Sequence, residues 1–278
     1  MHPRPPEPHT TLVPSLDTRE RVSAMEPQRV LVTAGAGGIG LAVAEAFAAD
    51  GARVHVCDVD AAALQRATAA SERVSGSVCD VSDPDAVQRL FTDVETTLGG
   101  LDVLVANAGI AGPTQPAEEL DLQAWQAVLA VNLTGTLLVT QRAIPLLRQS
   151  GRASVIVMSS IAGRFGYPNR IAYATTKWGL VGFTKTLSLE LGPHGITANT
   201  IHPGAVEGPR IERVMQGRAA VSGRTVEEET ELALTNQAIG RFVDPADIAA
   251  LAVFLAGPHG RSISGQAFPI DGDSKAAQ

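Results

Sequence analysis

The sequence predicts an α/β fold: a doubly wound, seven-stranded parallel sheet flanked by helices, in a single domain. Three observations predict it. From Val30 onward, short β-branched runs alternate with alanine-rich stretches long enough to be helices, the pattern of repeated βαβ units. The composition, 45% hydrophobic but only 4% aromatic and dominated by alanine and valine, suits helices packed closely on a parallel sheet. No internal repeat and no second apolar core interrupts the series, so the 278 residues read as one large core.

Taken in order, residues 1–27 are rich in proline, histidine and charge and lack periodicity, which predicts a disordered tail without a secretory-type apolar segment. Residues 28–278 are the expected folded domain. Strands are expected at 29–33, 53–57, 73–79, 103–106, 154–158, 197–201 and 267–270. Helices are expected between them at 39–49, 61–70, 84–98, 122–149, 171–191 and 245–255. Ser82-Asp83-Pro84 and Asp244-Pro245 put a capping side chain before a first-turn proline, which starts a helix well. Pro145 is expected to kink or end the helix over 122–149.

A formal net charge of -7 argues against a nucleic-acid or anionic-membrane partner, because like charges repel. Polar residues interrupt the apolar runs well short of the ~20 positions that a bilayer demands, so no spanning segment is expected. Cys57 and Cys79 have no metal-ligand spacing, and the six histidines form no HExxH motif, so no structural metal is expected. Each cysteine closes an apolar run ahead of an aspartate, as reduced core thiols of a cytoplasmic protein would.

The chemistry-bearing motifs begin with Tyr173 and Lys177, four residues apart and so on one face of a helix. A free tyrosine loses its proton near pH ~10, and an adjacent ammonium favours the phenolate. Lowering that value by roughly three units takes about 4 kcal/mol. A packed tyrosine beside a solvated lysine is the plainer reading of this spacing. The loop Thr33-Ala34-Gly35-Ala36-Gly37-Gly38-Ile39-Gly40 joins the first strand to the first helix, where glycines admit a pyrophosphate to free N–H groups and the helix dipole. Asp58 ends the next strand about 20 residues on, where an acid accepts bonds from ribose hydroxyls and repels a 2′-phosphate. NAD is therefore expected over NADP, unless Asp58 is only a turn residue.

With these motifs in place, the chain resembles the short-chain dehydrogenase/reductase family over almost everything after the tail. The matching pieces run in family order: the glycine loop, Asp58, Asp80-Val81, Asn107-Ala108-Gly109, Asn132, Ser160, Tyr173 with Lys177, and Pro203-Gly204. The resemblance implies a Rossmann-type fold and a catalytic tetrad of Asn132, Ser160, Tyr173 and Lys177. It implies that Thr33, Gly35, Gly38, Ile39 and Gly40 line the cofactor, with Asp58 on the ribose, Asp80 and Val81 on the adenine, and Asn107, Ala108 and Gly109 passing the ribose. Pro203, Gly204 and Val206 would meet the nicotinamide, and Tyr173 and Lys177 would touch the cofactor as well. Asp80 also reads as a helix cap, Asn107 as an Asx-turn and Asn132 as a satisfied core amide.

The activity so implied is hydride transfer between NAD(H) and a secondary alcohol or ketone, a hydroxy acid, sugar acid or polyol among them, with Tyr173 as general acid and base. An NADPH-dependent 3-oxoacyl reductase and a non-catalytic NAD-binding sensor are the alternatives. Ala34 stands where the family has the first glycine of its loop, and Gly208 where many relatives carry Thr or Ser. Arg210, in a charged segment after the sixth strand, is a candidate fork for an anionic substrate. Arg164, Phe165, Tyr167 and Asn169 are further pocket candidates. The family resemblance also implies a homotetramer, or a homodimer, built on the helices over 122–149 and 171–191 and the last strand.

Overall fold

The structure is a computed structural model that describes residues 26–277. The tail expected over 1–27 therefore lies outside the described residues, apart from Glu26 and Pro27. Seven parallel strands form one sheet in the order β3-β2-β1-β4-β5-β6-β7. They are β1 Arg29–Thr33, β2 Arg53–Asp58, β3 Val74–Val78, β4 Val103–Ala106, β5 Ser154–Met158, β6 Thr197–Pro203 and β7 Ala267–Ile270. The order reverses between β1 and β4, and the crevice beyond the carboxyl ends of these two strands is where such sheets bind ligands.

Burial explains why the central strands are apolar in every position. β4 and β5 are buried along their whole length, whereas the edge strands β3 and β7 alternate between covered and open residues. Because successive side chains leave a strand on opposite faces, Val30 and Val32 of β1 enter one core while Leu31 enters the other. The first core lies under α1 Gly38–Ala49 and α9 Pro245–Ala256, with Phe47 and Ile248 fully buried. The second lies under α3 Pro84–Leu98, α5 Thr136–Leu147 and α6 Ile171–Leu191. Each fully buried Leu, Ile or Phe in these layers stabilises the fold by roughly 1.5–3 kcal/mol.

The expected caps form. Asp83 accepts from the Asp85 amide ahead of Pro84, and Asp244 from the Ala246 amide ahead of Pro245. Asp60 likewise caps α2 Ala61–Ala69, and Asp121 caps α4 Leu122–Leu129.

Three expectations are corrected. The helix over 122–149 is not continuous: α4 passes through a π-helical turn, Ala130–Gly135, before α5, and Pro145 sits in the last turn before α5 stops at Leu147. The composite run Leu122–Leu147 is also long and apolar enough, by composition, to cross a membrane, contrary to the expectation that nothing would be. Here it packs its inner residues on the sheet, with Val139, Ala143 and Leu147 in the second core. Finally, two helices that hydrophobic periodicity does not reveal, α7 Pro209–Ser222 and α8 Val226–Thr235, follow β6. Their signals are chemical instead: Pro209 at the first turn of α7, and a capping box in which Thr225 and Glu228 exchange side-chain to backbone bonds at the start of α8.

Candidate active site

The carboxyl ends of β1, β2, β4, β5 and β6 bring the expected residues to one crevice. Thr33, at the end of β1, accepts from the Asn107 and Ala108 amides at 2.9 Å each, and the Asn107 side chain donates to the Thr33 and Ala34 carbonyls at 3.0 and 3.2 Å. The β4 loop and the glycine loop are thereby one unit, and Asn107 is more than a local turn residue. Gly40 lies where a Cβ would stand 2.1 Å from the Ala34 oxygen, so only glycine lets α1 come this close. Ala34 adopts φ 50°, a conformation disfavoured for a residue with a Cβ, which is why a glycine is usual there.

No side chain caps α1, and Gly37 and Gly38 at its start are exposed, so its first-turn amides face the crevice free of side chains. Asp58 reaches over from β2: its carboxylate accepts from the Ala36 amide at 3.2 Å and the Asp60 amide at 3.1 Å. Asp80 accepts from the Ser82 amide and hydroxyl, at 2.9 and 2.7 Å, in a turn ahead of α3, and the cap of that helix is Asp83 rather than Asp80. Val81 beside it is buried against Gly135, where a Cβ would come within 2.7 Å of a Val81 methyl. At the end of β6, Gly204 donates to the Ile270 carbonyl at 3.0 Å and is packed so closely on Asp271 that a Cβ would not fit. Val206 follows on the crevice side of a bridge to Val243. Gly208 has φ 129°, a value that excludes the Thr or Ser common among relatives and accounts for that departure.

The tetrad residues converge from three elements. Asn132, fully buried in the π-helical turn, accepts from the Ile110 amide at 2.8 Å and donates to the Ile110 carbonyl and the Thr176 hydroxyl at 3.0 Å each. Thr176 in turn donates to the Tyr173 carbonyl at 2.8 Å. Asn132 and Lys177 share no direct bond but both border Gly109, whose Cβ would lie 3.3 Å from the Asn132 Oδ1 and 3.4 Å from the Lys177 Nζ. Lys177 is buried, donates to the Met158 carbonyl at 2.8 Å, and holds its Nζ 5.6 Å from the Tyr173 ring centroid. Ser160 follows β5, its hydroxyl accepting from the Ala162 amide at 3.2 Å.

Several groups in the site carry no sequence signal. His202, buried on β6, is held 2.9 Å from the Ser160 carbonyl and so steadies the serine from behind. Arg170 and Arg218 join Arg210 around the chain's two tyrosines, with guanidinium carbons 5.4 Å from both rings for Arg170, 5.3 Å from Tyr167 for Arg218 and 5.8 Å from Tyr173 for Arg210. Arg210 is exposed and donates to the Gly109 carbonyl at 3.2 Å. Of the other pocket candidates, Arg164 pairs with Asp271 at 2.8 Å and stacks on Phe165, while Asn169 takes φ 61° in the loop before α6.

These surroundings act on the Tyr173 proton. Burial favours the neutral phenol most strongly of any single influence, but Lys177, Arg210, the Ser160 hydroxyl and Arg170 together bring its pKa below the ordinary value. Burial likewise lowers Lys177, opposed by Tyr173.

A family model described as Enoyl-(Acyl carrier protein) reductase matches residues 34–272, which is nearly all of the described chain. The chain belongs to the short-chain dehydrogenase/reductase family. It is an oxidoreductase that acts on CH–OH groups and the matching ketones with a nicotinamide cofactor. It is 36% identical over 247 residues to a D-beta-hydroxybutyrate dehydrogenase of Cupriavidus necator, covering 87% of this chain and 95% of the relative. An NAD+-bound xylitol dehydrogenase has the same fold at a TM-score of 0.85 and 29% identity, over 88% of this chain and 98% of that one. An actinorhodin polyketide ketoreductase with NADPH superposes as well, at a TM-score of 0.85 and 31% identity, over 88% and 96%. The crevice fits a dinucleotide on its own chemistry: uncapped amides at α1 suit phosphates, and Gly37 and Gly38, where a Cβ would meet nothing within 4 Å, leave the approach to them open.

Proposed function

We propose that this short-chain dehydrogenase/reductase is an NAD-dependent dehydrogenase of secondary alcohols, reversible toward the ketone, with Tyr173 as the general acid and base. The observation that carries the reading is the Tyr173 phenol set between Lys177 and Ser160, its pKa held down despite burial. When bound, the nicotinamide supplies the hydride acceptor or donor. In oxidation, Tyr173 as phenolate takes the alcohol proton; in reduction, as phenol, it returns one to the ketone oxygen. Ser160 donates a hydrogen bond to the same oxygen, and the Ala162 amide and His202 fix its direction. Lys177 stabilises the phenolate and would bind the nicotinamide ribose. In this reading a water links Asn132 to Lys177, which both border Gly109, and refills the proton site.

The preference for NAD rests on Asp58. Its carboxylate sits on the glycine loop, and among the described residues no arginine pairs with it to welcome a 2′-phosphate. Gly35, Gly38, Ile39, Gly40, Asp80, Val81, Asn107, Ala108, Pro203 and Val206 complete the cofactor lining in this reading. The test is initial-rate kinetics on a panel of secondary alcohols, polyols, sugar acids and cyclic alcohols with each dinucleotide. NAD+ is expected to outperform NADP+, and Asp58→Ala to narrow the gap; a wild-type preference for NADP+ would return the 3-oxoacyl reductase reading.

Two free, buried thiols fit a cytoplasmic enzyme. A homotetramer fits the open apolar side chains Leu122, Leu137, Ile171, Trp178 and Leu189 on α4, α5 and α6. Sedimentation equilibrium is expected to return a mass of four chains, and a monomer would remove this assembly.

A further inference from the structure

Arg170 is the weakest of the influences that lower the Tyr173 pKa, and that role does not account for its placement. It occupies the position just before α6, a helix of 21 residues, where the positive end of the helix dipole disfavours a cation. Its side chain is nevertheless 4% exposed. Two of its nitrogens are spent on the loop after β4, donating to the Thr114 hydroxyl and the Ala111 carbonyl at 3.1 Å each, while its Nε has no partner. A buried guanidinium with an open donor is costly unless something anionic completes it.

No acid among the described residues does so. None of Arg170, Arg210 and Arg218 takes part in an ion pair among the described residues. Glu229, whose carboxylate feels Arg218, is engaged by Ser222 and Arg224. Arg218 donates to the Tyr167 hydroxyl, so both tyrosines lie within a ring of three guanidinium groups. Two of the three, Arg210 and Arg218, are carried by α7 after β6, and the third is fixed beneath it. The dinucleotide phosphates have their own place at the start of α1, after β1, whereas the three arginines lie at the start of α6 and on α7.

We propose that Arg170, Arg210 and Arg218 form a carboxylate-recognition site, and that the enzyme oxidises short hydroxy acids to oxo acids, with the carbinol at Tyr173 and Ser160 and the carboxylate on the guanidinium groups. The inference rests on the proposed dehydrogenase reading and names its substrate class. In the reaction the carbinol C–H bond breaks with its electron pair leaving to NAD+, the O–H proton passes to the Tyr173 phenolate, and the carbon–oxygen double bond forms. The carboxylate is unchanged, which is why it serves as a handle. Arg170 is then a specificity-determining residue: two of its donors fix the guanidinium and the third is left for the ligand.

The test compares 3-hydroxybutyrate and lactate with their methyl esters, which keep the hydroxyl and lose the charge, using the full chain and NAD+. The acids are expected to be preferred, and Arg170→Gln to reduce the acid-to-ester ratio of kcat/KM by about 10- to 100-fold, mainly through KM for the acid, as loss of a charged hydrogen bond predicts. Arg218→Gln, at a half-buried position on α7, is expected to move the ratio in the same direction and stands in if Arg170→Gln does not fold. Butyrate, which has no hydroxyl to oxidise, is expected to bind the NAD+-loaded protein in calorimetry, and methyl butyrate not to. If both variants leave the acid-to-ester ratio unchanged, Arg170 is only a clip for the loop and the inference falls. If the NAD+ dissociation constant rises with the acid KM, the cluster serves the cofactor phosphates and the inference also falls. Oxidation of the esters without any preference for the acids, and without butyrate binding, overturns the substrate class but leaves the dehydrogenase reading intact; failure of every alcohol would remove that reading, while butyrate binding still decides the anion site.

Discussion

Tyr173 is a residue on which opposed forces act through one proton. Burial alone would raise its pKa, and three cations and a serine hydroxyl bring it below the ordinary 10.0. The sign of the pH dependence follows. In alcohol oxidation the reactive form is the phenolate, so kcat/KM is expected to rise with pH and level off above the lowered pKa; in ketone reduction the reactive form is the phenol, and the rate is expected to fall over the same interval. Lys177→Met should move both inflections upward, and Tyr173→Phe should cost about 10²- to 10⁴-fold in turnover while dinucleotide binding persists. Stopped-flow rates across pH check this, and near-normal turnover of Tyr173→Phe would exclude the assignment. The tyrosine and lysine are legible in sequence because a one-turn spacing is a local fact, whereas Ser160 is singled out from its neighbour Ser159 by the family resemblance. Arg170, Arg218 and His202 are not legible, since their partners Ala111, Tyr167 and Ser160 lie 59, 51 and 42 residues away.

Among the elements, the helix that carries Asn132 shows how a long-range bond can change local winding. Residues Ala130–Gly135 contain nothing that forbids an α-helix, yet they form a π-helical turn, a feature often found at functional sites. The turn aims the Asn132 amide at Ile110 and Thr176, and so joins the β4 loop to α6. Asn132→Ala removes the partner of the Ile110 amide and carbonyl and of the Thr176 hydroxyl and is expected to destabilise by about 2–3 kcal/mol. Urea unfolding measures the loss, and faster hydrogen exchange at the Ile110 amide would locate it. Helices α7 and α8 escape periodicity for a different reason. They bury few residues, Met215 on one and Glu229 and Ala233 on the other, so no apolar stripe marks them and only their capping chemistry does.

For the molecule as a whole, acid stability is tied to the sheet through His55. This β2 residue is 2% exposed, bridges the Ser75 and Ser77 hydroxyls of β3 at 2.9 Å each, and has its pKa lowered by burial from 6.5 to about 4, against a weaker pull from Asp93. A folded-state pKa below the unfolded one means that the unfolded chain binds the proton more readily. Stability from this group is therefore complete above pH 6.5 and lost as pH falls toward 4, a change of roughly 3 kcal/mol. Unfolding free energies measured between pH 7 and about pH 4 should show this decline, and His55→Gln should flatten it.

The sequence by itself determined the order of strands and helices, the glycine loop after β1, the acid that ends β2 and the Tyr173–Lys177 spacing, because each is written within one turn, one strand or one βαβ unit. The tertiary structure alone decided the π-helical turn, the packing of α7 and α8 and the ring of arginines around the two tyrosines. Those features exist only where segments far apart in the chain are pressed together and a buried polar group must find its partner at a distance.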